Sequence, residues 1–135
     1  MKRTRLTIET GNQAGLFDIT SDCTQFVAGE GDGLLTVFVP HATCGLVVVE
    51  LGSGSESDLL ETLGRVLPRD DRWRHRHGAR GHGADHVLPL LAPPSLVVPV
   101  AGGRLELGTW QSIALLDTNV DNPRRTVSLT FMSGT

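Results

Sequence analysis

Five histidines are the residues of this chain best suited to chemistry, and four of them lie within twelve positions. These four are His75, His77, His82 and His86, whereas His41 stands alone earlier in the chain. Imidazole is the commonest protein ligand for metals and titrates near neutral pH. The spacing of the four follows no zinc motif of fixed form, although His82 and His86 would share one face of a helix. From spacing alone, solvated histidines in a polar loop are the simplest interpretation.

Other polar residues lie at the ends of predicted strands. His41 follows the apolar segment 34–39, where a loop can present a functional side chain on a rigid scaffold. The alternative for His41 is a partly buried histidine that hydrogen-bonds to the backbone. Glu50 is a candidate general base or a group that orients a metal ligand, and equally an exposed charge. Arg124 and Arg125 form either a clamp for an anion or a solvated strand edge.

Two residue types that often carry chemistry are interpreted as parts of the core. Cys44 lies between apolar segments, so we expect a small buried residue and not a nucleophile. Trp110 is expected in the core and not as a stacking platform. The sequence contains no glycine-rich phosphate loop that opens a helix, no nucleophile elbow and no CxxC pair.

The apolar pattern predicts a single α+β domain over residues 1–135, built on a mostly antiparallel β-sandwich with about two helices. The predicted strands cover residues 3–9, 34–39, 45–50, 95–100, 104–107, 109–117 and 125–132. The predicted helices cover residues 21–30 and a segment from Ser55 to Pro68 with leucines and valine on one face. Residues 69–85 are charged and rich in histidine and glycine, and are predicted to form a long functional or disordered loop.

Composition excludes several classes of function. The net charge of -3 gives no sign of bulk nucleic-acid binding. No segment approaches the ~18 consecutive apolar residues of a membrane span, and no apolar stretch follows the basic N-terminus as in a signal peptide. The two cysteines make no disulfide framework, so we expect a reducing, cytoplasmic location without membrane or nucleic-acid partners.

Four segments in a characteristic order carry a family resemblance. They read LTVFVPHATCGLVVVE at 35–50, WRHR at 73–76, HGADH at 82–86 and GRLELGTWQSI at 103–113. Together they resemble the YjbQ-like family, which is often described as secondary thiamine-phosphate synthase. The resemblance extends from Gly15 to Met132.

The resemblance implies a fold, an assembly and a site. It implies a β-rich α+β domain that forms a homotrimer with sites near the subunit boundaries. It also implies that His41, His75 and His86 converge to bind a divalent metal such as zinc, with an open fourth position. We expect four catalytic residues, namely His41, Glu50, His75 and His86. We expect four substrate-binding residues, namely Arg74, Trp110, Gln111 and Arg124. His77 and His82 match no recurrent family position and are expected to be solvated.

The family description implies that an aminopyrimidine diphosphate joins a thiazole phosphate with release of pyrophosphate. This chemistry needs arginine or a cation such as magnesium to neutralise the departing diphosphate. The dedicated enzymes are TIM barrels of about 200 residues or more, so the activity on this chain is expected as a side reaction on a phosphorylated substrate. The alternatives are a non-catalytic trimer that binds a small anion or metabolite, and a purely structural trimer. Arg76, where the family has asparagine, makes the expected pocket more basic.

Overall fold

The computed structural model describes residues 1–134, whose strands form two antiparallel sheets. The strands are Lys2–Glu9 (β1), Gly15–Asp18 (β2), Gly33–Phe38 (β3), Cys44–Val49 (β4), Ser95–Ala101 (β5), Arg104–Leu105 (β6), Ser112–Asp117 (β7) and Arg124–Ser133 (β8). The helices are Thr20–Val27 (α1), Ser55–Val66 (α2) and His82–Val87 (α3), and a 3-10 helix over Leu88–Leu90 follows α3. Within this part of the chain, no helix has the length and apolar character needed to cross a membrane.

The two sheets differ in size and lie on either side of the main core. The larger sheet has the strand order β1-β8-β3-β5-β6, and the smaller sheet has the order β2-β7-β4. Leu35 and Val37 of β3 meet Ile113 and Leu115 of β7 in this core, which α1 also closes. The prediction of an α+β domain with a mostly antiparallel sandwich is therefore confirmed.

A second, smaller core lies on the other face of the small sheet and positions the histidine-rich segment. Leu116 of β7 faces this core because side chains alternate along a strand, so β7 is buried on both faces. Leu67, Ala84 and Leu88 pack against Leu116. The segment that connects α2 to α3 is thereby held against the sheet, and is not a free loop.

Among the strands and α-helices of residues 1–134, two elements were not predicted by the apolar pattern. Strand β2 is short, and its backbone pairs with β7 from Gly15↔Asp117 to Asp18↔Ala114. Helix α3 begins inside the segment predicted as an irregular loop, because it packs into the smaller core. Strand β3, although apolar throughout most of its length, is buried on only one face, since Leu34 and Phe38 are 46% and 44% exposed.

A histidine cluster as the candidate functional site

Four imidazole rings meet where the segment before α3 folds back over that helix. One ring nitrogen from each of His75, His77, His82 and His86 lies within 4.8 Å of the other three. The ring centroids of His75 and His86 are 3.9 Å apart, and those of His75 and His77 are 4.2 Å apart. The two helical histidines touch directly, with 3.0 Å between Nε2 of His86 and Nε2 of His82. We call these four residues the histidine cluster.

Two glycines allow the backbone to approach closely enough to assemble the histidine cluster. Gly81 precedes α3 with a φ of +82°, a conformation that favours glycine. A Cβ on Gly83 would lie 2.3 Å from Cβ of Trp73 and 2.6 Å from the carbonyl oxygen of His75. Trp73 is fixed in turn, because its indole N–H donates a 2.8 Å hydrogen bond to the carbonyl oxygen of Pro68. His75 is thus brought onto α3 by glycine and tryptophan.

Buried polar contacts fix α3 beneath the histidine cluster. Asp85 is fully buried and accepts hydrogen bonds at Oδ1 from Arg69 and from the Thr118 hydroxyl. Its other oxygen, Oδ2, has no hydrogen-bond partner within residues 1–134, and neither has Nδ1 of His82. These two unsatisfied atoms lie 4.0 Å apart. Nδ1 of His82 also lies 3.1 Å from Oδ2 of a second carboxylate, that of Asp121.

The environment favours the neutral imidazole of two residues in the histidine cluster, His86 and His75. Burial, followed by the neighbouring rings of His75, His82 and His77, lowers the pKa of His86 below its ordinary value of 6.5. Desolvation and the rings of His77 and His82 lower the pKa of His75 in the same way. Because like charges repel at these distances, protonation of one ring opposes protonation of the next. Neutral rings keep lone pairs for a metal or a proton.

The donor set fits a divalent metal of the zinc type. Zinc binds imidazole nitrogen at about 2.0–2.1 Å in tetrahedral geometry, which places two ligand nitrogens roughly 3.3 Å apart. The 3.0 Å between the Nε2 atoms of His82 and His86 is close to that separation. Both carboxylates near His82 lie toward its Nδ1, whereas its Nε2 faces Nε2 of His86, so Nε2 is the nitrogen positioned to bind a metal together with the other rings.

The structure brings two of the three expected metal ligands together and places the third elsewhere. His75 and His86 are members of the histidine cluster, whereas His41 is not. Nε2 of His41 accepts a 3.0 Å hydrogen bond from the backbone N–H of Thr126. Burial and the nearby charge of Arg125 lower the pKa of His41 below 6.5. The role of His41 as a metal ligand remains a prediction that would need a neighbouring subunit.

The remaining expected site residues lie on the surface. Glu50 is exposed, and Arg74 is exposed without a hydrogen bond or ion pair to the part of the chain that is described. Trp110 is 72% exposed, so its interpretation as a core residue is wrong. Gln111 accepts a 2.8 Å hydrogen bond from the backbone N–H of Gly108, and Arg124 pairs with Glu9. Arg74 adjoins the histidine cluster in sequence, and its guanidinium pairs with none of residues 1–134.

Sequence reasoning missed two features of this region. His82 was expected to be solvated and is only 8% exposed, because α3 turns it toward Asp121. Arg125 is 2% exposed and forms an ion pair with Asp117, so a solvated edge is wrong for this residue. The four-residue spacing of His82 and His86 was the available signal for the first feature. A long-range buried pair such as Arg125 and Asp117 leaves no local signal.

Comparisons with known proteins agree over nearly the whole chain. The family model described as UPF0047 protein YjbQ-like matches residues 4–134. The UPF0047 protein Rv2556c of Mycobacterium tuberculosis (strain H37Rv) is 56% identical over 119 residues, covering 88% of this chain and 90% of that protein. The UPF0047 protein YugU of Bacillus subtilis (strain 168) is 31% identical over 135 residues, covering 96% and 97% of the two chains.

Solved structures show the same fold. A YbjQ-like protein of unknown function from Sulfolobus solfataricus P2 superposes with a TM-score of 0.88 at 25% identity, covering 96% of this chain and 95% of that chain. A conserved hypothetical protein from Thermus thermophilus superposes with a TM-score of 0.83 at 33% identity, covering 96% and 99%.

Proposed function

The chain belongs to the UPF0047 family of YjbQ-like proteins, and on that premise we propose that it is a metal-dependent enzyme acting on a small phosphorylated substrate. The observation that carries the proposal is the convergence of four imidazoles within 4.8 Å in a segment rich in arginine. A phosphate group is bound and neutralised by a metal ion together with positively charged side chains. Imidazoles that can ligate the metal, beside arginines, supply both.

The metal proposed for the histidine cluster is zinc, with magnesium as the additional cation for diphosphate chemistry. Bound zinc supplies a Lewis acid that withdraws charge from a phosphate oxygen. His75, His82 and His86 hold it in this proposal, and the exposed His77 completes the set or gives way to substrate. His41 and Glu50 are proposed as acid–base residues. Burial and Arg125 lower the pKa of His41, which favours its neutral form, and because its Nε2 accepts from the N–H of Thr126, its Nδ1–H is the group available to donate to a substrate.

The proposed contacts to the phosphate come from arginines whose charges are not already neutralised. Arg69 is paired with Asp85. The guanidinium of Arg72 donates hydrogen bonds to the Asp70 carboxylate, from Nε to both oxygens and from a terminal nitrogen to one of them. Arg74 has no such partner among residues 1–134 and is the first candidate for substrate binding. Nε of the exposed Arg76 donates a hydrogen bond to the carbonyl oxygen of Trp73, so the terminal nitrogens of its guanidinium remain for a ligand. Trp110, Gln111 and Arg124 remain proposed contacts for the remainder of the substrate.

Thiamine-phosphate formation is the reaction with which to test this proposal. The assay mixes an aminopyrimidine diphosphate with a thiazole phosphate and follows pyrophosphate release with zinc or magnesium added. We expect turnover by the wild type and a loss of about 10²-fold or more in His86→Ala and His41→Ala. Circular dichroism confirms that each variant is folded. Unchanged turnover in both variants would show that these histidines are not catalytic.

A non-catalytic binding protein is the second candidate, and the number of histidines favours it. Four protein nitrogens saturate tetrahedral zinc, as in structural sites, whereas catalytic sites keep one position open. In this case the protein binds zinc or a small anion tightly and forms no product with any metal. Calorimetry with inorganic pyrophosphate on the zinc-loaded protein, run beside the turnover assay, separates the two candidates, because only the enzyme also consumes the diphosphate substrate.

We propose a homotrimer as the assembly. The outer face of the larger sheet supports self-association, because Leu34 and Met132 pair across strands and are 46% and 52% exposed. Phe38 and Val97 add further exposed apolar surface to the same sheet. Several exposed apolar residues on one face of a sheet are typical of an interface. Cys23 and Cys44 are buried free thiols, which supports the proposed cytoplasmic location.

A further inference from the structure

Asp121 lies on the opposite side of His82 from the other rings of the histidine cluster. Its Oδ2 atom is 3.1 Å from Nδ1 of His82, while Nε2 of His82 faces His86. The 3.1 Å contact is not aligned as a good hydrogen bond, so Nδ1 remains without a satisfied partner. Such contacts are often misaligned before ligand binding and tighten in the complex. Asp121 is thus positioned to influence which ring nitrogen of His82 carries the proton.

Of the two carboxylates near Nδ1 of His82, Asp121 is the better placed to act on it. Oδ2 of Asp85 is farther away, at 4.0 Å, and the charge of Asp85 is neutralised by Arg69. No arginine or lysine within residues 1–134 forms an ion pair with Asp121. Gly78 covers the contact, because a Cβ there would lie 2.7 Å from Oδ2 of Asp121 and 3.4 Å from Nδ1 of His82.

A polar network that runs from the surface into the interior fixes the exposed Asp121 in this position. The backbone N–H of Ala79 donates to its carboxylate at 3.0 Å, and its own N–H donates to Oδ1 of Asn119 at 2.8 Å. The side-chain amide of Asn119 donates a 2.9 Å hydrogen bond to the Thr43 hydroxyl. Thr43 also accepts from Arg125, whose guanidinium is paired with Asp117. The network therefore reaches from the segment that carries His41 to the histidine cluster.

We propose that Asp121 is a positioning residue, which keeps the proton of neutral His82 on Nδ1 so that Nε2 presents its lone pair to the histidine cluster. A carboxylate only accepts hydrogen bonds when ionised, so it favours the tautomer with Nδ1–H. Carboxylates that orient metal-binding histidines in this way change metal affinity by about 10–100-fold. The inference deepens the proposed metal site and rests on it for its consequence, whereas the tautomer itself is a property of the metal-free protein.

The test is nitrogen-15 NMR of the histidine rings in the metal-free protein, at a pH where the imidazoles are neutral. The His82 signals are assigned by their loss in His82→Gln. We expect wild-type His82 with the proton on Nδ1, and a shift of the population toward Nε2–H in Asp121→Ala. The matched control is Asp70→Ala, which removes a carboxylate from the same segment and leaves the tautomer unchanged. A proton on Nε2 in the wild type, or the same tautomer in Asp121→Ala, would overturn the proposal.

Zinc titration of the same proteins provides a second measurement. We expect the Kd for zinc to rise by about 10–100-fold in Asp121→Ala and to recover at least partly in Asp121→Glu, which restores the carboxylate. An affinity in Asp121→Ala equal to that of the wild type would contradict the positioning role. If the wild type binds no zinc, the proposed metal site fails, while the NMR result still decides the role of Asp121. The wild-type NMR spectrum by itself can overturn the proposal, even if the variants at position 121 do not fold.

Discussion

Arg124 and Arg125 are neighbours in sequence but occupy opposite environments. The side chain of Arg124 is 70% exposed and pairs with Glu9, whereas the side chain of Arg125 is 2% exposed and pairs with Asp117. Exposed pairs contribute little because water screens the charges, while removal of one partner from a buried pair leaves a charge without compensation. Arg125 also donates to the hydroxyl and carbonyl oxygen of Thr43. It thus connects the loop after His41 to β8.

This difference predicts unequal losses of stability. We expect Asp117→Ala to lower the free energy of unfolding by about 3–5 kcal/mol, because Arg125 stays buried and unpaired. The matched control, Glu9→Ala, should change it by roughly 0–1 kcal/mol. Urea denaturation measures both. Equal losses in the two variants would mean that burial of the Arg125 pair does not govern stability here.

His41 predicts a pH dependence of stability. Burial and Arg125 lower its pKa below 6.5, and Nε2 accepts from Thr126 only when that nitrogen is unprotonated. The unfolded chain therefore binds this proton more readily than the folded chain. Above about 6.5 His41 is neutral in both states and adds no pH dependence; as the pH falls from there through the lowered pKa, stability is lost.

The measurement is urea unfolding of the metal-free protein at a series of pH values, compared with His41→Gln. The other histidines are present in both proteins. The difference between the two slopes of unfolding free energy against pH therefore reports on His41 alone. We expect the wild type to lose more stability on acidification than His41→Gln. Parallel pH profiles would show that His41 is not held neutral by the fold.

At the scale of elements, the helix α3 brings the histidine cluster together, and its glycine is as important as its histidines. A Cβ on Gly83 would collide with Trp73 and with the backbone of His75. Gly64 of α2, by contrast, has nothing within 4 Å of its Cβ position. The two helical glycines therefore offer a matched pair of substitutions.

We expect Gly83→Ala to separate the segment of Trp73 and His75 from α3 and to weaken zinc binding by at least tenfold, with about 1–3 kcal/mol of overpacking strain. Gly64→Ala should instead stabilise the protein by roughly 0.5–1 kcal/mol, because alanine is the better helix former. Zinc titration and thermal unfolding measure the two effects. Normal zinc affinity in Gly83→Ala would indicate that close approach of the two backbones is not required.

The elements that could be predicted from sequence are those whose stability is encoded locally. Strands β3, β4 and β5 carry apolar runs with β-branched residues, β8 alternates polar and apolar residues, and α2 carries an apolar face at helical spacing. Helix α3 was not predicted because histidine, glycine and aspartate are weak helix formers, and its contacts with Leu116 and Leu67 are distant in sequence. Strand β2 depends in the same way on its pairing with β7.

The candidate site could be predicted in part for the same reason. Family resemblance identified His75 and His86, which the structure brings together. The burial of His82 depends on Asp121 and on the position of α3, and neither is visible in the local pattern. Arg125 and Asp117 could not be paired from sequence, since the consecutive strands β7 and β8 lie in different sheets.

At the scale of the whole molecule, residues 1–134 leave two extended apolar surfaces exposed in a single chain. One is the outer face of the larger sheet, with Leu34 and Phe38. The other is a groove of about 350 Å³ between α2 and the smaller sheet, with Leu59, Val66 and Leu91 along it. None of the residues of α2 is buried, although the sequence predicts an apolar face for this helix. Both surfaces are consistent with the proposed homotrimer.

The trimer predicts a molar mass in solution of three times 14.5 kDa. Light scattering after size exclusion measures it, and Phe38→Glu should reduce the mass because the charge would have to be buried in the interface. The control Arg65→Ala changes an exposed residue of α2 and should leave the mass unchanged. A wild-type mass of 14.5 kDa at all concentrations would contradict the trimer.

The histidine cluster as a metal centre is tested most directly by elemental analysis of the protein after dialysis against zinc and removal of free metal. Wild type and His86→Ala are compared, with His41→Ala as a variant whose imidazole lies outside the cluster in one chain. We expect one zinc per chain in the wild type and its loss in His86→Ala. A wild type without metal, or His86→Ala with a full complement of zinc, would contradict a metal centre at this cluster.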